Sequence, residues 1–165
     1  MRRDVGSLFL LALVALVVIR PWEHVHLGDP PPRSASAYVV RAIDGDTIEV
    51  RLDGRREDVR YIGVDTPETV KPGTPVQCFG PRAHRFNVHL VEGQRVRLEF
   101  GVERRDVYGR LLAYVHLGRR FVNAELVRRG LARTLPIAPN IRFAKRFQRL
   151  ELAAARAGRG LWRAC

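Results

Sequence analysis

Cysteine is scarce in this chain of 165 residues, appearing only as Cys78 and the terminal Cys165. Two thiols are too few for a zinc site of their own and enough for one disulfide. Lysine is almost missing: Lys71 and Lys145 are the only ones, although 29 basic side chains give a formal net charge of +12 at pH 7. The surplus is therefore nearly all arginine, whose planar fork grips a phosphate with two hydrogen bonds; a GC-rich coding sequence leaves the same bias. No internal repeat or low-complexity tract is present, and the length excludes a second catalytic domain.

The chain divides into three. Arg2 and Arg3 precede an unbroken apolar run from Leu8 to Ile19 (LFLLALVALVVI), the charged-then-apolar order of an export signal. A buried helix is the poorer reading, because Pro21 and Pro30-Pro31-Pro32 cut the run off from the domain. A membrane span needs roughly 20 apolar residues, a length reached from Val5 to Trp22 only if Arg20 snorkels to the interface. The small-x-small pattern Ala35-Ser36-Ala37 lies far beyond the run, which favours an uncleaved anchor in residues 1–22 over a cleaved signal peptide. With Arg2 and Arg3 held in the cytoplasm the rest of the chain lies outside, where thiols oxidise. Residues 23–37, rich in Pro, Ser and Ala, read as a tether, and His24 and His26 as an idle pair rather than metal ligands.

Arg2, Arg3, Arg20 and Arg33 are nearly offset by Asp4, Glu23 and Asp29, so the positive excess belongs to residues 38–165. Such an excess draws in polyanions, nucleic acid first among them; a generally solvated basic surface is the alternative. From Tyr38 the pattern becomes short apolar segments between turn signals. Tyr38-Val39-Val40, the alternating stretch Thr47 to Leu52 and Val59 to Val64, with Asp53-Gly54 as a hairpin turn, predict three antiparallel strands. Pro81 opens a helix that Ala83, Phe86, Asn87 and Leu90 continue and Gly93 ends. Arg95 to Phe100 and Leu111 to Leu117 add two strands. Val122 to Arg129 and Asn140 to Ala157 are the remaining helices, the last with Asn140 as N-cap and Ile141, Ala144, Phe147, Leu150 and Ala154 facing inward. Its other face carries Arg142, Lys145, Arg146 and Arg149, a solvated face rather than a specific nucleic-acid surface. The order is that of an α+β OB-fold, a five-stranded barrel with three helices.

Of the 14 acidic residues from Tyr38 onward, eight lie between Asp44 and Glu68. A hard cation takes carboxylate and carbonyl oxygens, and Asp46 at the start of the second strand and Asp65 at the end of the third come together if those strands are antiparallel. Each piece alone has an ordinary reading: Asp44-Gly45-Asp46-Thr47 as a turn, and Thr66-Pro67-Glu68 as a helix start. Arg60 alone reads as a surface partner of Glu57 or Asp58, and Arg110 as a solvated residue after a turn.

Taken together, "AIDGDTIEV", Arg60, "VDTPET" and "DVYGRLLAYV", in that order and spacing, resemble the staphylococcal nuclease (thermonuclease) family, calcium-dependent phosphodiesterases on an OB-fold. The resemblance covers Tyr38 to about Trp162. It implies Asp46, Asp65 and the backbone carbonyl of Thr66 as Ca2+ ligands with Asp44 behind them, and Glu68 as the general base. It further implies Arg60 and Arg110 as the phosphate-holding arginines and Tyr108 as a phosphate contact. DNA and RNA, single-stranded or locally open, are the implied substrates, with products ending in a 3′-phosphate, and the protein is expected to be a monomer. Two departures concern binding. Val107 replaces the lysine of a D-K-Y-G-R pattern, and Leu135 and Ile137 occupy a region where the family places two tyrosines, which implies weaker base stacking.

Exported members also resemble this chain in "CFG" before the first helix and "GLW" before a final Cys, which implies a Cys78–Cys165 disulfide. A non-catalytic OB-fold that binds nucleic acid at the cell surface is the main alternative. A surface protein that binds acidic polymers or lipid headgroups is a third.

Overall fold

Asp53 and Gly54 both adopt positive φ, 48° and 78°, the twist that a tight hairpin between right-handed strands requires. They join β2 (Thr47–Leu52) to β3 (Arg55–Tyr61), and β1 (Ser34–Ala42) pairs the other edge of β2. The computed structural model describes residues 33–69 and 73–165; the expected signal or anchor segment, most of the tether and Lys71 lie outside the described residues. β5 (Arg95–Arg105) runs antiparallel to β1, and β6 (Leu111–Leu117) pairs β5 and then closes on β3 in parallel from Val59↔Leu111 to Tyr61↔Ala113. The five strands form the closed barrel of an OB-fold, as expected. β7 (Arg120–Phe121) is a short addition beside β6.

Alternation fills the barrel, with Val39, Ile48, Val50, Val59, Val96, Leu98 and Val115 all buried. Helix α1 (Gly80–Val91) covers β1 and buries Ala83 and Val91, and α2 (Val122–Arg128) buries Val122, Leu126 and Val127. Helix α3 (Ala144–Arg156) contributes Phe147 to a ring cluster with Tyr114, Phe121 and Phe143. A last turn, α4 (Leu161–Ala164), brings Cys165 to Cys78 with Cα atoms 6.0 Å apart. Among the described residues no helix is long and apolar enough to cross a membrane.

Three local expectations differ from the structure. β1 begins at Ser34, so residues 34–37, read as tether, pair with Glu99 to Val96 of β5, and Ala37 is buried. The third strand does not run on to Val64. It stops at Tyr61, Gly63 takes φ 78°, a value that a side chain resists, and Gly63–Asp65 forms a separate strand, β4. β4 leaves the barrel to pair with β8 (Arg133–Leu135). Asn140 is not the cap of α3, which starts only at Ala144. Its buried amide accepts from Glu103 N–H (3.1 Å) and donates to Glu103 C=O (2.9 Å). Pairing both ends of a buried amide outweighs one exposed capping bond, and Ile141, expected inward, is 52% exposed.

Candidate active site

The turn before β2 is an Asx turn: Asp44 Oδ1 accepts from Asp46 N–H at 2.9 Å. Gly45 lies against Thr66 so closely that a Cβ would meet its side chain at 2.6 Å, so glycine is what lets the two loops touch. Asn87, buried on α1, donates to Asp44 C=O (2.9 Å) and accepts from Tyr61 O–H (2.9 Å), fixing the turn to the end of β3.

Asp46 points inward from this turn and is 3% exposed. Its Oδ2 accepts from Thr66 N–H (2.6 Å) and Thr66 O–H (3.0 Å), and its Oδ1 lies 3.2 Å from Arg60. Arg60 stands opposite Thr47 in the β2–β3 register. Its guanidinium donates to Tyr61 C=O (3.0 Å), Val64 C=O (2.8 Å) and Asp65 Oδ1 (2.8 Å). The break at Gly63 turns the chain so that β4 presents the Val64 carbonyl and the Asp65 carboxylate. Asp46 and Asp65 therefore meet through Arg60, not by direct strand pairing. The expected surface partner Glu57 instead takes both nitrogens of Arg105 at 2.9 Å.

Past Pro67, the Glu68 side chain accepts from Thr69 N–H at 2.8 Å. The main chain of Glu68 is tied twice to Gln77, its N–H donating to Gln77 Oε1 (2.9 Å) and its C=O accepting from Gln77 N–H (2.9 Å). Across the cleft, Asp106 Oδ1 accepts from the N–H groups of Tyr108 and Arg110, both at 3.0 Å, and its Oδ2 accepts from Arg110 Nε at 2.7 Å. Arg110 is thus oriented by Asp106 and lies 5.3 Å from the centre of the exposed Tyr108 ring.

One cleft of about 460 Å³ is lined by Asp44, Asp46, Arg60, Asp65, Thr66, Glu68, Tyr108 and Arg110. All eight expected site residues reach it. Asp58 joins them, and Asp106, Asn87 and Gln77 stand behind them as positioning residues that the sequence alone did not single out. A neighbouring hollow of about 330 Å³ shares Arg60, Tyr108 and Arg110 and is walled by Val107, Leu135 and Ile137, which offer aliphatic surface and no ring.

The donor set suits a hard cation. Two carboxylates and a backbone carbonyl are oxygen ligands of the kind calcium takes, with water completing the shell. Among the described residues no three acidic, His or Cys side chains converge, so the protein would supply only part of the coordination. Burial pushes the Asp46 carboxyl up to about 7, and Arg60 only partly offsets this while Asp44 and Asp65 add to it. A carboxylate so short of compensating positive charge is a place where a divalent cation lowers the energy.

The model of the staphylococcal nuclease homologue family matches residues 58–164. A thermonuclease of Staphylococcus hyicus is 38% identical over 158 residues, covering 96% of this chain and 92% of that protein. A thermonuclease of Staphylococcus intermedius is 40% identical over 169 residues, covering 98% and 99%. Endonuclease YncB of Bacillus subtilis (strain 168) is 44% identical over 124 residues, covering 74% of this chain and 59% of that protein. With the barrel, the cleft and these likenesses agreeing, the chain belongs to the staphylococcal nuclease family.

Proposed function

We propose that this protein is a calcium-dependent nuclease that hydrolyses phosphodiester bonds of DNA and RNA with low sequence specificity. The observation that carries the reading is the cleft itself, where two fixed guanidiniums face carboxylates and Glu68 across a space open to solvent. The thermonuclease and endonuclease names of the relatives support it.

A phosphodiester is a monoanion, and water adding to its phosphorus places a second negative charge on the equatorial oxygens. Arg60 and Arg110, held in place by backbone carbonyls and by Asp106, stabilise that added charge without reorganising. Glu68 takes the proton of the attacking water as the new P–O bond forms, and the bond to the 5′-oxygen breaks. The oxygen leaves with a solvent proton, giving a 3′-phosphate and a 5′-hydroxyl. Tyr108 contacts the phosphate from the rim. Asp46, Asp65 and the Thr66 carbonyl would hold calcium, which supplies Lewis-acid polarisation of a phosphoryl oxygen when bound.

Incubation of the purified full chain with single-stranded DNA, with calcium or with chelator, tests the reading. Cleavage is expected only with calcium, and Arg110→Ala is expected to lower kcat/KM about 10²- to 10³-fold while the protein stays folded. Salt-sensitive DNA binding without calcium-dependent cleavage would establish the non-catalytic alternative. The same outcome with acidic polymers or lipid would establish the third.

Export also belongs to the proposal, with residues 1–22 as a signal anchor, or as a signal peptide if they are cleaved, and the enzyme as a monomer. Ala35-Ser36-Ala37 lies within β1, so cleavage after it would remove sheet pairing, which supports retention of the segment or a cut upstream. Outside the cytoplasm Cys78 and Cys165 are proposed to form a disulfide closing a loop of sequence separation 87. Titration of the oxidised, denatured protein is expected to find no free thiol, and Cys78→Ser to lower stability by up to about 4 kcal/mol. Two free thiols would overturn the pairing.

A further inference from the structure

The cleft does not hold the positive charge that makes this chain basic. Asp44, Asp46, Asp58, Asp65 and Glu68 line it against Arg60 and Arg110, so without a bound cation it repels a polyanion. Whatever concentrates a long substrate lies elsewhere on the +12 surface. The exposed face of α3 carries Lys145, Arg146 and Arg149 on a convex helix. A concave site lies between the start of α1, the end of α2 and the C-terminal turn.

That groove, about 520 Å³, has Phe79, Phe86 and Leu131 for its floor and Arg128, Arg129 and Arg159 for its rim. It continues into a second hollow, where Phe86 and Leu90 meet Arg120. The Arg129 guanidinium lies 4.9 Å from the Phe86 ring centre, and that of Arg82 lies 5.2 Å from Phe79. The one carboxylate lining either hollow is Glu125, which pairs with Arg128 at 2.6 Å and Arg129 at 3.3 Å, so the groove keeps a clear positive excess.

From this arrangement, and resting on the nuclease reading above, we infer that the groove binds a single strand of nucleic acid as a second contact outside the cleft. Guanidinium planes resting against the rings of Phe79 and Phe86 form mixed platforms on which unpaired bases stack, while the charges neutralise their phosphates. A duplex keeps its bases stacked inside and offers the floor nothing. A lipid surface is the poorer fit, because Phe79 and Phe86 are half-buried in the floor and do not protrude. The groove also adjoins the chemistry. Phe79 lies two residues after Gln77, which is hydrogen-bonded to the main chain of Glu68, so a strand leaving the cleft past Glu68 passes the start of α1.

The test is binding of a 20-nucleotide oligothymidylate and of a thymidine dinucleotide to the full chain in chelator, where no cleavage occurs. The double variant Arg128→Gln/Arg159→Gln is expected to weaken the 20-mer about tenfold and to flatten the log K against log salt slope by about 1.4, for two phosphates at about 0.7 each. Dinucleotide binding, and calcium-dependent cleavage of the dinucleotide, are expected to stay at the wild-type level, as is the melting temperature. Phe86→Leu, which keeps apolar volume but removes the ring, is expected to weaken the 20-mer about fivefold or more. Binding of the 20-mer by the double variant within twofold of wild type would overturn the inference. So would an equal loss for the dinucleotide, or a loss confined to anionic vesicles. Absence of calcium-dependent cleavage by the wild type would defeat the nuclease reading and leave these binding outcomes decisive on their own.

Discussion

Replacing Arg60 with alanine is expected to lower calcium-dependent cleavage by about 10³-fold or more and to destabilise the protein by about 1 to 3 kcal/mol. The two effects have one origin. The Arg60 side chain is 15% exposed and that of Asp46 only 4%, so the guanidinium is the positive group nearest a carboxylate that burial already pushes toward protonation. Removing it lets the Asp46 carboxyl take up a proton, which ends its service as an anionic ligand, and leaves the carbonyls of Tyr61 and Val64 without their donor. Arg60→Lys separates charge from shape. One ammonium restores the sign of the charge but cannot reach two carboxylates and two carbonyls through a planar fork. It is expected to recover most of the stability and little of the activity. The urea midpoint, together with kcat/KM at saturating calcium, checks both. A loss of under 1 kcal/mol in Arg60→Ala would show that Asp46 is solvated or neutralised by another group.

The same residue shows what the sequence makes legible. Arg60, the Asp44-Gly45-Asp46-Thr47 turn and Tyr108-Gly109-Arg110 were readable because each is local: turn chemistry and strand alternation place them at strand ends, and the family resemblance orders them. The way Asp65 reaches the site was not readable. It depends on Gly63 ending β3 and on β4 pairing with Thr134 of a distant strand, a long-range choice that no window of the sequence contains. Asn140 failed for a related reason. As a local signal it is a good cap, but its amide found both a donor and an acceptor on Glu103 in another part of the chain. Ser34 to Ala37 looked like linker because serine and alanine differ too little in size and hydropathy for their alternation to stand out; their place in the sheet comes from an available edge on β5. Asp106 was the nearest miss, since an aspartate four positions before an arginine across a Gly turn is the pattern of an Asx-braced side chain.

Glu68→Gln is expected to reduce kcat about 10²- to 10⁴-fold with KM for single-stranded DNA little changed. The amide keeps the length of the side chain and an oxygen that accepts from Thr69 N–H, and the double tie between the main chain and Gln77 is untouched. Its position is therefore preserved, and stability is expected to stay within about 0.5 kcal/mol. What is lost is the ability to take a proton. If the carboxylate served only to orient water, the amide would do nearly as well through the same hydrogen bonds, and more than a tenth of the rate would survive. A general base also leaves a mark on the pH profile measured at saturating calcium, where cation binding would keep Asp46 ionised: the rising acidic limb of kcat should disappear in Glu68→Gln and persist in Arg110→Ala. The pair of variants thus assigns the limb to the carboxylate and not to the phosphate-holding arginine. It also divides the work of the loop, with Glu68 moving the proton while Asp65 and Thr66, on the same short stretch, stay with Asp46 and Arg60.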